Sequence, residues 1–329
     1  MISRHQNTPS RGHAYAIIIG VAIALLAALV VFAGIPNSTK FMHTLHKSGH
    51  PLVFGLIALL VLSLIAKRTR MAAKPGWVAY LAAFVIAVLI GAATEIAQLF
   101  THRGAAVDDV VSDAVGAIAG LGWHAAIFSG RDETKRVGTR LAFVSAALLA
   151  TIVALAPLLW CVAAYAVRDA NFPVILQSPS SLDMFFVSGD VGNVSIAKLP
   201  DDGAQADDSS ALKISIDKGR YPGVQISEPY PKWRGYRTLG IDFTNPGRSD
   251  LALVIRVHDR THNGDYADRF NRPVTIGANT RTTILVPLKD VEHGPKGRLL
   301  NLDAIANLHI FASRPVTDGA FYVSKIWLQ

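Results

Sequence analysis

The chain reads as an α-helical membrane domain of five transmembrane helices followed by an all-β sandwich of jelly-roll-like type. Of its 329 residues 51% are hydrophobic, and the long apolar runs all precede Val167. From Arg168 onward, short segments alternate apolar and polar residues between Gly, Pro, Asn and Asp. A run of about 20 apolar residues crosses a bilayer as a helix, whereas period-two alternation marks a strand with one buried face. The composition change divides a membrane domain at 1–167 from a second domain at 168–329, with no internal repeat in either.

The first helix is expected over about 14–35. Arg4 and Arg11 precede it as in a signal peptide, but it exceeds the roughly 7–15 residues of a cleavable apolar core and lacks a small-x-small cleavage pattern. It is read as a retained helix. Four more are expected at about 47–66, 77–100, 107–128 and 141–167. Lys67, Arg68, Arg70 and Lys74 lie between the second and third, and Arg131, Lys135, Arg136 and Arg140 between the fourth and fifth. Basic residues concentrate in cytoplasmic loops. The N-terminus is therefore expected in the cytoplasm, with loops 36–50 and 101–106 and the domain from Arg168 on the other side of the membrane.

The formal charge of +8 comes mostly from those loops, so nucleic acid is excluded as a partner and the lipid bilayer is the expected surroundings. Cys161, in the fifth run, is the only cysteine, which rules out an intramolecular disulfide. A thiol in apolar surroundings stays protonated and is a poor nucleophile.

Polar residues gather at the outer ends of the second, third and fourth runs. An ionisable residue inside a span costs about 2.5–3.5 kcal/mol or more, so a group of them faces a protein interior or a wet cavity. Lys47 and His50 stand in line with His43 and Phe54, Glu95 and Gln98 with Gly91, and Asp109 and Asp113 with Gly116 and Gly120, each set on one helix face. The short connection after residue 100 folds the third and fourth helices into a hairpin, with Glu95 and Gln98 opposite Asp113 and Asp109 and Arg103 at the tip as their partner. Gly116-x-x-x-Gly120 admits a close neighbouring helix.

At Lys47, His50, Phe54, Glu95, Gln98, Arg103, Asp109, Gly116 and Gly120 the chain resembles the VanZ-like family of bacterial membrane proteins, over roughly residues 40–122. Asp113 stands where the family pattern has Asn. The resemblance implies a cell-envelope protein and a link to glycopeptide resistance, since the family takes its name from a member associated with teicoplanin; it supplies no settled reaction. Three readings of the cluster stay open: a fastener for the helical hairpin, a site for an envelope glycan or lipid-linked cell-wall ligand, and a catalytic site using Glu95, His50 and Arg103. His43, His46, His50 and His102 lack the His-Glu-x-x-His spacing of a zinc enzyme, so neither a metal nor another cofactor is expected.

The second domain alternates at Leu212/Ile214/Ile216, Leu239/Ile241/Phe243, Leu251/Leu253/Ile255/Val257, Ile284/Val286/Leu288 and Phe321/Val323. In this pattern and its strand order it resembles galactose-binding-like sandwiches used as carbohydrate-binding modules, over about 182–329. Arg256, His258, Asp259, His262, Tyr266, Asp268 and Arg269 crowd one strand end and its loop, and Tyr221, Tyr230, Trp233 and Tyr236 supply further aromatics. Such groups suit a sugar, with planar polar side chains for the hydroxyls and an aromatic for the apolar face. They equally suit a loop pinned by Asp259–Arg269 or Arg256–Asp268 pairs.

Overall fold

The computed structural model describes residues 11–32, 39–68, 75–100, 106–128, 136–188, 194–200, 210–216, 222–312 and 319–329. The chain falls into two compact units, Met1–Leu159 and Trp160–Gln329.

The first unit holds α1 (Arg11–Phe32), α2 (Lys40–Arg68), α3 (Trp77–Leu99), α4 (Val107–Phe128) and most of α5 (Arg136–Asn171). All five are long and apolar enough to cross a membrane, and this is a multi-pass membrane protein. With 22 residues, α1 rises about 33 Å, the thickness of a bilayer core. Leu25 and Leu29 on α1 and Leu141 and Leu149 on α5 are exposed, as lipid-facing residues are. The domain boundary expected at 167/168 falls inside α5, which continues to Asn171.

α2 begins well before the expected residue 47. Its start is set by Thr39, whose hydroxyl accepts the Met42 N–H at 3.1 Å and whose carbonyl accepts the His43 N–H at 3.0 Å, the bonding of a helix N-cap. Residues 40–50 are therefore helical rather than loop, and Pro51 sits inside the helix.

Small residues decide how these helices pack. On α3, Ala79, Ala83, Ala87, Gly91 and Glu95 recur every four residues along the buried face. On α4 the buried residues include Asp113, Gly116, Ala117 and Leu121. Gly116 lies against the Pro51 backbone of α2, a Cβ on Gly120 would stand 2.7 Å from the Gly55 carbonyl oxygen, and one on Gly55 would stand 2.9 Å from that of Gly116. The two backbones therefore touch directly. Phe54, Ile57, Ala58, Val61 and Leu62 of α2 form the apolar core around this crossing. Trp123 Nε1 of α4 donates to Thr151 Oγ1 of α5 at 3.1 Å.

The second unit is a sandwich of two antiparallel sheets. One has the order β3 (Val194–Lys198), β4 (Ser210–Ile216), β11 (Gly319–Leu328), β6 (Thr238–Asn245), β9 (Thr280–Pro287), with β1 (Val174–Gln177) also on β11. The other runs β2 (Val187–Ser188), β5 (Gly223–Ser227), β10 (Ile305–Ala312), β7 (Leu251–Asp259), β8 (Phe270–Ile276). The alternating positions read from the sequence on β4, β6, β7 and β11 form its core, joined by Leu308 and Ile310 of β10. Leu288, read as a strand residue, opens the short helix α6 (Leu288–Glu292). The end of α5 belongs to this unit: Ala164 and Tyr165 pack on the core, the Tyr165 hydroxyl donates to the Glu228 carboxylate, and Arg168 Nη1 donates to the Glu228 carbonyl at 3.0 Å.

Gly120→Ala should lower the stability of the detergent-solubilised protein by roughly 1–3 kcal/mol, the cost of overpacking a filled contact. Gly49→Ala, on the same helix pair but with nothing within 4 Å of a new Cβ, should leave the thermal midpoint unchanged or raise it.

Candidate functional site

The membrane unit gathers its buried charges where α2, α3 and α4 meet. His50 and Glu95 are each 4% exposed and Asp113 is 0% exposed. His50 Nδ1 lies 3.3 Å from Asp113 Oδ1, an ion-pair distance but outside hydrogen-bond alignment. Gly91 makes room for that carboxylate, since a Cβ there would stand 2.7 Å from Asp113 Oδ2. Glu95 Oε2 accepts the Ala106 N–H at 3.0 Å, so the acid also holds the start of α4, where the helix dipole favours negative charge. Lys47 Nζ stands 4.0 Å from Asp109 Oδ1, and Gln98 is buried on the Glu95 side of α3.

The cluster is incompletely satisfied. Among the described residues, Glu95 Oε1 and both Asp113 oxygens have no hydrogen-bond donor. His50, Glu95 and Asp109 each bring one donor atom within 4.8 Å of the other two. The structure thus groups Lys47, His50, Glu95, Asp109 and Asp113 across three helices; Arg103 and His102 lie outside the described residues.

In the sandwich the expected site residues separate into two groups. Asp259 and Asp268 turn inward to a residue that local sequence reading missed, Arg298. Its Nη1 and Nη2 donate to Asp259 Oδ2 and Oδ1 at 2.7 and 2.9 Å, and its Nε donates to Asp268. Asp259 also accepts the Thr261 hydroxyl and N–H and the Asn301 N–H, while Asp268 accepts the Asn263 N–H. Neither expected pairing, Asp259–Arg269 or Arg256–Asp268, is the one that forms. His262 Nδ1 sits 2.9 Å from the Asp268 carbonyl, and the Arg269 guanidinium lies 5.3 Å from the exposed Tyr266 ring. Burial acts to raise the Asp259 carboxyl, but the Arg298, Asn301 and Thr261 bonds outweigh it and hold the group below its ordinary range. Arg298 and the Asn263 N–H lower Asp268 from 3.8 to about 2.

Arg256 and His258 point the other way. On β7, Leu253, Ile255 and Val257 enter the core, so Arg256 and His258 lie on the opposite face of the sheet. On β10, Leu308, Ile310 and Ala312 are core residues, which puts Asn307, His309 and Phe311 on that same outer face. Register then aligns Gln225 of β5, His309 of β10, Arg256 of β7 and Asn271 of β8 directly across four strands. Arg256 Nε donates to Asn271 Oδ1 at 3.0 Å, and its guanidinium stacks 4.5 Å from the Phe311 ring centre. Ser227, Asn307 and His258 form a second row. The aromatics expected to serve a ligand lie elsewhere: Trp233 is fully buried, Tyr230 stacks on Phe172, and Tyr236 packs on the core. Tyr221 lies outside the described residues.

Residues 3–129 match the model of the VanZ/LLP1 family. No curated protein matches the chain in sequence. Solved structures similar to it include a family 11 carbohydrate-binding module from Clostridium thermocellum in complex with a β-1,3-1,4-mixed-linked tetrasaccharide, at 19% identity, 44% of this chain, 88% of the module and a TM-score of 0.34. An exo-β-agarase aligns at 18% identity over 44% of this chain with a TM-score of 0.36, and the chain spans only 23% of its length. A xylan-binding domain of family 22 aligns at 10% identity over 46% of this chain and 90% of its own, with a TM-score of 0.32.

Because Asp259 and Asp268 hold their charge more tightly folded than unfolded, the unfolded chain binds more protons as pH falls below the ordinary value of 3.8, in a window that for Asp268 reaches down to about 2. Sandwich stability is therefore expected to be fully present above that window and to fall as pH drops through it. Arg298→Ala should flatten that loss, because without the guanidinium the folded-state carboxyls are no longer held so far below their unfolded value. At neutral pH it should cost about 3–5 kcal/mol by leaving Asp259 as a buried charge without its partner. Thermal unfolding followed from neutral to acid pH in both proteins checks both outcomes.

Proposed function

We propose that this is an envelope protein whose sandwich binds a glycan, free or part of a lipid-linked cell-wall component, on the outer face of its five-stranded sheet. The observation that carries the reading is the row Gln225, His309, Arg256 and Asn271. With strands about 4.8 Å apart, four in register make a track about 14 Å long. It is composed of planar polar side chains: the Arg256 guanidinium can only donate to sugar hydroxyls, while Gln225, His309 and Asn271 carry donors and acceptors. Phe311, buried between Arg256 and His309, supports the two side chains from beneath. Asp259 and Asp268 are excluded from ligand contact in this reading because Arg298 already engages both.

Lys67, Arg68, Arg70 and Lys74 on one side of the membrane, and the sparsely charged loops on the other, support a cytoplasmic N-terminus and an extracytoplasmic sandwich. A sandwich so placed faces cell-wall polymers and the headgroups of lipid-linked precursors. The glycopeptide-resistance expectation depends on this same ligand class.

The full chain in nanodiscs should retain members of a panel of envelope polysaccharides and cell-wall fragments. Arg256→Ala and Gln225→Ala should each weaken retention at least about tenfold, or about 1.4 kcal/mol, while both variants still unfold in one cooperative transition. Failure of the wild type across the whole panel would sink the proposal. A topology reporter fused after Gln329 is expected to read extracytoplasmic; a cytoplasmic signal would remove the sandwich from any envelope glycan.

A further inference from the structure

The buried cluster of the membrane unit holds more acceptors than its described neighbours satisfy. Glu95 is 96% buried, since only 4% of it is exposed, and spends one carboxylate oxygen on the Ala106 N–H; the other has no donor. Asp113 is fully buried and neither of its oxygens has one. An unsatisfied polar group away from water costs several kcal/mol, and an uncompensated charge more. Lys47, which stands 4.0 Å from Asp109 and is 47% exposed, is a weak counterweight for three carboxylates.

We propose that His50, Glu95 and Asp109 hold a divalent transition-metal ion, zinc or manganese. Each offers one donor atom within 4.8 Å of the other two. Donors around a zinc ion at about 2.0–2.1 Å stand roughly 3.4 Å apart, so side-chain shifts of about an ångström close the site. One imidazole and two carboxylates suit zinc or manganese better than calcium or a thiolate-seeking ion. Three protein ligands leave a further coordination position for water or an external oxygen.

Asp113 is the positioning residue. Metal-ligating histidines characteristically turn their other ring nitrogen to a carboxylate, which fixes the ring. A small rotation of the His50 ring would bring Nδ1, 3.3 Å from Asp113 Oδ1, into that arrangement and give Nε2 to the ion. Gly91, by admitting the Asp113 carboxylate against α3, makes the pairing sterically feasible. This site is independent of the glycan reading, and either can fail alone.

The test uses the full chain in nanodiscs, stripped with chelator, re-equilibrated with zinc or with manganese, and desalted before elemental analysis. Wild type should retain one ion per chain of at least one of the two metals. Asp109→Asn and His50→Gln should weaken binding at least about tenfold, the loss that even an outer-shell partner can cause. Lys47→Met, which removes the cation competing for Asp109, should tighten it. His43→Gln, which alters an exposed histidine on the same helix, should change nothing. Asp109 is only partly buried, so Asp109→Asn keeps the test open if Glu95→Gln fails to fold for loss of its contact at the start of α4. Retention no greater in wild type than in Asp109→Asn, for both metals, would overturn the proposal.

Discussion

Where α2 crosses α4, backbone meets backbone. Gly55, Gly116 and Gly120 leave no side chain between the helices, and Pro51 presents its carbonyl to Gly116. Without a strong hydrophobic drive between helices in lipid, such close approach and the dispersion contacts it allows are the principal source of association. The same approach brings together His50, which directly precedes Pro51 on α2, and Asp113, one turn before Gly116 on α4, so packing and chemistry share a geometry. A side chain inserted at Gly116 or Gly120 would move the ion pair as well as the helices. Gly91 plays the corresponding part on α3.

The two units treat buried acids in opposite ways. Asp259 accepts two bonds from Arg298, two from Thr261 and one from Asn301, and its carboxylate is fully engaged. A group so satisfied is a fastener: it fixes the loop before β8 and the loop carrying Arg298, and has nothing left for a ligand. Glu95 and Asp113 retain unfilled acceptor capacity among the described residues. The contrast is between an acid cluster whose acceptors are filled and one whose acceptors are not.

Much of this was legible in sequence, because its signals are local. Apolar runs of bilayer length marked all five helices, and period-two alternation marked β4, β6, β7 and β11. The four-residue spacing of Gly91 and Glu95, and of Asp109, Asp113, Gly116 and Gly120, placed each set on one face. The errors arose where a long-range partner or a competing local signal decided the outcome. His43, Lys47 and Ser48 depress hydropathy and Pro51 reads as a stop, yet the Thr39 cap starts the helix at Lys40. β10 is buried nearly throughout, so its alternation is hidden and Asn307, His309 and Phe311 went unrecognised. Arg298 follows Asp268 by thirty residues in a Gly- and Lys-containing loop, and no local pattern announces its pairing. Gly55 as the partner of the Gly116–Gly120 stripe is likewise a tertiary fact.

The dependence of the membrane unit on its buried charge contact is measured most directly by a double-mutant cycle between His50 and Asp113. The stability of wild type, His50→Gln, Asp113→Asn and the double variant would be determined in the same detergent after metal stripping. If the α2–α4 crossing brings these two groups into one interacting pair, the losses should be non-additive, with a coupling of at least about 1 kcal/mol. Additivity within about 0.5 kcal/mol would contradict it, leaving two independent buried polar groups that the packing of the glycines does not join.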